Sequence, residues 1–174
     1  MSEKEKIILS LDLSLSSTGF SVLKNDEIIY YGKICTKSKD FNKSDEKRMF
    51  YISNIIQQIA SEYEVKYVAI ENTYTGINPK TSTVLAKLCG FVCKGLMDYK
   101  EDILIGIYMP TSIRKGVVGV GNATKERVAN YIRKYYIDIG EYSDKQTKEQ
   151  EKTSDIYDAI TVGIYMYKKY NGDI

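Results

Sequence analysis

Histidine is absent from all 174 residues. That absence excludes Ser-His and Cys-His nucleophilic catalysis and imidazole-ligated zinc. Any hydrolysis by this chain must therefore use carboxylates, lysine, tyrosine or metal ions. Cysteine is nearly as scarce. Cys35, Cys89 and Cys93 are too few and too scattered for a disulfide framework. Cys89 and Cys93 stand four apart, on one face of a helix, where the choice is between a metal or redox pair and small buried hydrophobes; the second reading is preferred. Long apolar runs are missing too. None approaches the roughly 20 residues that span a bilayer. The charged start MSEKEK leads straight into a strand pattern, which predicts no secretory signal and a cytoplasmic protein.

What the chain does have is the composition of one ordinary folded domain spanning 1–174, with 43% hydrophobic and 28% charged residues. A net charge of +2 says little, but its distribution says more. Arg114, Lys115, Lys125, Arg127, Arg133 and Lys134 face a single acid, Glu126, over that span. Such a stripe suits a polyanion; a solvated helix face is the alternative.

KIILSLDL is an apolar strand followed by a polar turn, with Gly19 permitting tight geometry. FSVLKNDEIIYYGKIC reads as two antiparallel strands around an Asn-Asp turn. From Ser44 to Tyr63 the period becomes helical, carried by Met49, Ile52, Ile56 and Ile59. KYVAIE is a buried strand reached by a crossover, hence parallel to the first. A second helix, about Ser82 to Asp98, is apolar on more than one side, and Gly90 and Gly95 would admit another backbone; one side is expected to meet a second subunit. DILIGIYMP is a further strand stopped by Pro110, then come a short helix and one expected to be capped by Asn122. A charge-dense connection, EYSDKQTKEQEK within the 138–153 loop, is expected to be mobile and precedes a final helix from Ser154 to Lys169. The expected fold is a five-stranded mixed α/β sheet, three antiparallel then two parallel strands, flanked by helices: the RNase H-like arrangement.

Four carboxylates stand out within this frame. Asp12 and Glu71 end two buried strands, and Asp155 and Asp158 lie three apart at the start of the last helix, on one face. Acids at the mouth of a core are costly unless something positive binds there. A pair of Mg²⁺ ions, with Mn²⁺ substituting, would relieve their repulsion, and two metals about 3.5–4 Å apart serve in-line phosphodiester attack.

In these segments the chain resembles the RuvC-like Holliday-junction resolvases, over nearly its whole length. Asp12 stands seven residues before Gly19, AIENTY resembles the second acidic motif, and STVLAKLCGFVCKGLM resembles the dimerisation helix. PTSIRKGVVGVGNATKERV resembles the basic signature, and SDIYDAI the closing Asp-x-x-Asp-Ala. The resemblance implies a homodimeric, Mg²⁺-dependent crossover junction endodeoxyribonuclease that nicks four-way and related branched DNA. Asp12, Glu71, Asp155 and Asp158 would then be metal ligands. Lys125 and Arg114 would meet the phosphate, Lys115, Arg127, Arg133 and Lys134 the DNA backbone, and Tyr74 unpaired bases. Two departures mark a divergent branch, such as one encoded by a phage: Leu13-Ser14 replaces the usual Pro-Gly, and the stretch from Lys125 to Asp155 is longer than in typical cellular members. Other RNase H-like nucleases acting on RNA, and a non-catalytic junction binder, remain as alternatives. A sugar-kinase-like phosphotransferase, suggested by DLSLSSTG, would need a second domain for which there is no room.

Overall fold

A computed structural model describes residues 5–72, 78–145 and 152–174. The strands are β1 (Ile7–Asp12), β2 (Ser17–Lys24), β3 (Glu27–Cys35), β4 (Tyr67–Glu71) and β5 (Leu104–Tyr108). The helices are α1 (Asp45–Glu62), α2 (Pro79–Tyr99), α3 (Pro110–Val118), α4 (Lys125–Tyr135) and α5 (Ser154–Asn171). The sheet order is β3-β2-β1-β4-β5. β1–β2 and β2–β3 are antiparallel, whereas β1–β4 and β4–β5 are parallel. This is the mixed sheet expected from the sequence.

The central strands read as apolar runs because both faces of the sheet are covered. Along β1, Leu9 and Leu11 join Val68 and Ile70 of β4 in a core closed by Met49, Ile52 and Ile56 of α1 and Leu88, Val92 and Leu96 of α2. Ile8 and Ala69 point the other way, into a second core with Ile113, Val117, Val128, Ile132, Ile160 and Ile164. The alternation is the period of two expected of a pleated strand. α5 lies across β1 and β2 at Gly163, where a Cβ would collide with Leu23 and Ser10.

Local boundaries follow their chemistry. Asn25 adopts φ 58° in the β2–β3 turn, a conformation Asn tolerates. Ser44 caps α1 by accepting the Lys47 N–H. The Asn122 cap is corrected: Thr124 is the N-cap of α4, accepting from the Arg127 N–H, and Asn122 lies in the turn before it. α2 starts earlier than expected, at Pro79, because Asn78 caps it and proline suits the first helical position. Gly95 packs against Ser53 of α1 within the chain, while the space beside Gly90 is open. The two ends of the long connection are tied together: Ser143 and Thr153 exchange hydrogen bonds, and Thr153 also donates to the Glu141 carbonyl at 2.7 Å. Among the described residues, no helix is long and apolar enough to cross a membrane.

Candidate active site

Leu11 of β1 pairs with Ile70 of β4, so the next residues, Asp12 and Glu71, leave the sheet side by side. On the other flank Asp12 is opposite Gly19 of β2. A Cβ at Gly19 would overlap the backbone carbonyl of Asp155. The glycine thus lets the start of α5 sit directly against the end of β1, and this brings the helical acids to the strand acids. Asp155 and Asp158 are buried, at 6% and 9% exposure, on the first two turns of α5.

Four carboxyl groups in one place resist ionisation. Burial, then the charges of Asp158, Glu71 and Asp155, push the Asp12 carboxyl well up from its ordinary value, against the pull of Lys125. Burial and Asp158 raise Glu71 to about 7, although Lys125 and Arg114 pull it down. Asp158 is raised as well, chiefly by burial, despite the Lys125 ammonium on its Oδ2. Burial works against a charge on Lys125, yet Asp158, Asp12 and Glu71 outweigh it and hold the ammonium protonated. Asp155 is held differently. Ser17 Oγ donates to its Oδ2 at 2.6 Å, and Lys152 Nζ pairs with its Oδ1 at 2.6 Å.

Among the described residues, no group of three Asp, Glu or Cys side chains closes around a point that could hold a metal ion. Two of the four acids are instead turned onto lysines. The donor set nevertheless fits a hard divalent cation. All the donors are carboxylate oxygens, the acids outweigh their cationic neighbours, and the Lys125 ammonium already stands where positive charge is needed. Such an arrangement can gather cations and phosphate at one sheet edge.

The family model for crossover junction endodeoxyribonuclease RuvC matches residues 8–166. The chain belongs to the RuvC family. RuvC of Treponema pallidum (strain Nichols) is 28% identical over 131 residues, which make up 73% of this chain and 64% of that protein. RuvC of Dictyoglomus thermophilum is 24% identical over 168 residues, 94% of this chain and 98% of that protein. Two solved structures of Thermus thermophilus RuvC share the fold. The first has TM-score 0.74 and 14% identity, covering 95% of this chain and 96% of that one. The second, in complex with Holliday junction substrate, has TM-score 0.73 and 13% identity, with 96% of each chain covered. The RNase H-like arrangement expected of the sheet is thus the RuvC fold. RuvC nucleases are metal-dependent, in keeping with the donor set.

Of the other residues expected to act in this RuvC chain, Arg114 and Lys125 reach the acids. Arg114 lies within electrostatic range of Glu71 and Asp158, and its Nη1 is fixed on the Ala123 carbonyl at 3.2 Å. The rest of the basic stripe points elsewhere. Arg133 pairs with Asp138 at 2.9 Å, and Lys134 lies over the Tyr135 ring. Lys115 and Arg127 are exposed on α3 and α4. Tyr74 falls outside the described residues. Cys89 is buried and Cys93 half-buried, their sulfurs 4.0 Å apart as free thiols, consistent with the hydrophobic reading. Sequence reasoning missed Ser17 and Lys152. The i, i+3 spacing of Lys152 to Asp155 was an available signal; Ser17 had none, because its partner is 138 residues away.

Proposed function

We propose that this chain is a structure-selective endonuclease that resolves four-way (Holliday) and related branched DNA junctions by paired symmetric nicks, working as a homodimer of single nuclease domains. The observation that carries the reading is the convergence of Asp12, Glu71, Asp155 and Asp158 at one sheet edge in a chain of the RuvC family. The Holliday junction bound by the T. thermophilus relative supports the choice of substrate.

Asp12, Glu71, Asp155 and Asp158 would hold a pair of Mg²⁺ ions, with Mn²⁺ substituting. Bound there, divalent cations acidify water and stabilise charge on phosphate oxygens. The chain's own groups do the rest. Lys125 brings an ammonium that keeps its proton, placed among Asp158, Asp12 and Glu71, to meet charge building on the phosphate. Arg114, braced on Ala123, adds a second cation at the same edge. Ser17 and Lys152 fix the orientation of Asp155 from either side. Water adds at phosphorus as the bond to the 3′ oxygen breaks, leaving a 5′-phosphate and a 3′-hydroxyl that a ligase can rejoin.

A second copy gives the symmetry that paired nicks require. α2 supports this choice of interface: Phe91 and Met97 are exposed on it, and a cleft of about 490 Å³ runs between it and α1, lined by Phe50, Gly90 and Phe91. The test is a synthetic four-way junction incubated with Mg²⁺, beside flap, duplex and RNA substrates. Symmetric paired nicks on the junction are expected. Asp12→Asn should abolish cleavage, by at least about a thousandfold, while leaving junction binding in Ca²⁺ intact. Near-normal cutting by that variant, or preference for RNA, would overturn the reading.

A further inference from the structure

Beside the acids lies a second feature, most of whose lining the catalytic arrangement does not use. A cleft of about 510 Å³ opens next to Asp155, walled by the β1–β2 turn, the end of β3 and the residues leading into α5. Its polar lining includes Ser16, Ser17, Lys33, Lys37, Ser38 and Lys152: three ammonium groups, two from the end of β3 and the residues just after it and one from the segment before α5, and three hydroxyls. That combination of donors is the chemistry that grips a phosphate.

The walls are held rigid by a buried arginine. Arg48, 7% exposed, donates from Nε to Thr36 Oγ1 at 2.9 Å, and from Nη2 to the Leu15 and Thr36 carbonyls at 3.0 and 3.3 Å. Its Nη1 pairs with Asp45 at 3.1 Å. Arg48 is thus neutralised and committed to the backbone, and the positive charge offered to the cleft comes from Lys33, Lys37 and Lys152, the last shared with Asp155. Thr36 also donates to the Leu15 carbonyl, and the Thr36 N–H to Ser16, so turn and strand end form one unit. Lys33 Nζ reaches the Lys152 carbonyl at 3.2 Å, which ties β3 to the segment before α5. Lys152 both pairs with Asp155 at 2.6 Å and lines the cleft.

We propose that this cleft binds a backbone phosphate of the cleaved strand, a short distance along from the scissile phosphate. Two members of the cleft, Ser17 and Lys152, also hold Asp155. A strand engaged in the cleft is therefore mechanically linked to the carboxylate that serves the cut. The consequence is register: the cleft sets which phosphate reaches the acids.

The inference rests on the nuclease reading, and one experiment separates the two. Junctions carrying a single neutral methylphosphonate, at each of several positions either side of the mapped nick, are bound in Ca²⁺ by wild type, Lys37→Ala and Lys33→Ala. Lys37 is on the exposed rim, so its variant keeps the fold, as a melting curve will verify. At one position neutralisation should weaken wild-type binding about tenfold. Lys37→Ala should weaken binding to the unmodified junction similarly and lose its response to that one substitution. In Mg²⁺ the same variant should spread its nicks over neighbouring phosphates. Losses that add uniformly at every position, or variants that bind and cut as wild type does, would overturn the cleft proposal alone. A wild type that neither binds nor cuts branched DNA would overturn both.

Discussion

Glu71 is the residue whose environment is most directly measurable. Its carboxyl titrates at about 7 in the fold against an ordinary 4.5, because burial and Asp158 disfavour its charge. The folded state thus holds a proton that the unfolded chain has released between those two values. Its contribution to stability is present below about 4.5 and is lost as pH rises through about 7. In metal-free buffer the protein should therefore weaken over that interval, by an amount on the order of 1–3 kcal/mol from this group. Glu71→Gln should flatten the curve and melt higher than wild type at pH 8, with no cleavage activity. Divalent cation should raise the wild-type melting temperature at pH 8 and not that of the variant. Equal melting curves in chelator would show that Glu71 is not strained by its neighbours. Of the individual residues, Glu71 at a strand end is hard to explain structurally, whereas Asp12 alone could equally cap a turn; it is the combination with the helical pair Asp155 and Asp158 that was legible in sequence. Ser17 was not, because its partner Asp155 is 138 residues away; the i, i+3 spacing of Lys152 to Asp155 carried a signal, but not one that marks a site.

Between elements, the decisive contact is β2 against the start of α5. Gly19 is opposite Asp12 and also leaves room for the Asp155 carbonyl, so one missing Cβ brings two acids together. Gly19→Ala must push α5 away from the sheet, since the obstacle is backbone and cannot rotate aside. Overpacking of this kind costs about 1–3 kcal/mol. The activity loss should exceed what that destabilisation explains, with the divalent-cation requirement shifted to higher concentration. A variant destabilised yet unaltered in its cation requirement would make Gly19 a packing residue only. The basic stripe teaches a complementary lesson. Its six cations look equivalent in sequence, yet helix geometry sends Lys125 and Arg114 to the acids and commits Arg133 to Asp138. Lys125→Ala should reduce the salt dependence of junction binding by about one unit of slope, whereas Arg133→Ala should change it less.

At the scale of the whole molecule, the unresolved balance of buried and exposed surface lies on α2. Its inner side is fully used, with Leu88, Val92 and Leu96 buried, while Phe91 and Met97 face outward. Single exposed apolar residues are commonplace, but here Phe91 adjoins the exposed Phe50 of α1 across one cleft. Sedimentation at micromolar concentration should find a dimer, and Phe91→Asp should yield a folded monomer. Such a monomer should lose paired nicking while keeping isolated single nicks, because each acid cluster is complete within one chain. A wild-type monomer that makes paired nicks would remove the dimer from the mechanism.

Hydrophobic period, the turn residues and the strand-end acids are local properties, and from them alone the sequence determined the order of elements, the mixed sheet and the four candidate carboxylates. Those signals survive in a linear reading because each depends on neighbours within a few positions. The tertiary structure decided what the acids touch: Lys125 on Asp158, Lys152 and Ser17 on Asp155, and a lysine-lined cleft alongside. Apart from the i, i+3 pair of Lys152 and Asp155, these contacts join segments far apart in the chain, and the close approach permitted at Gly19 brings the start of α5 against β2.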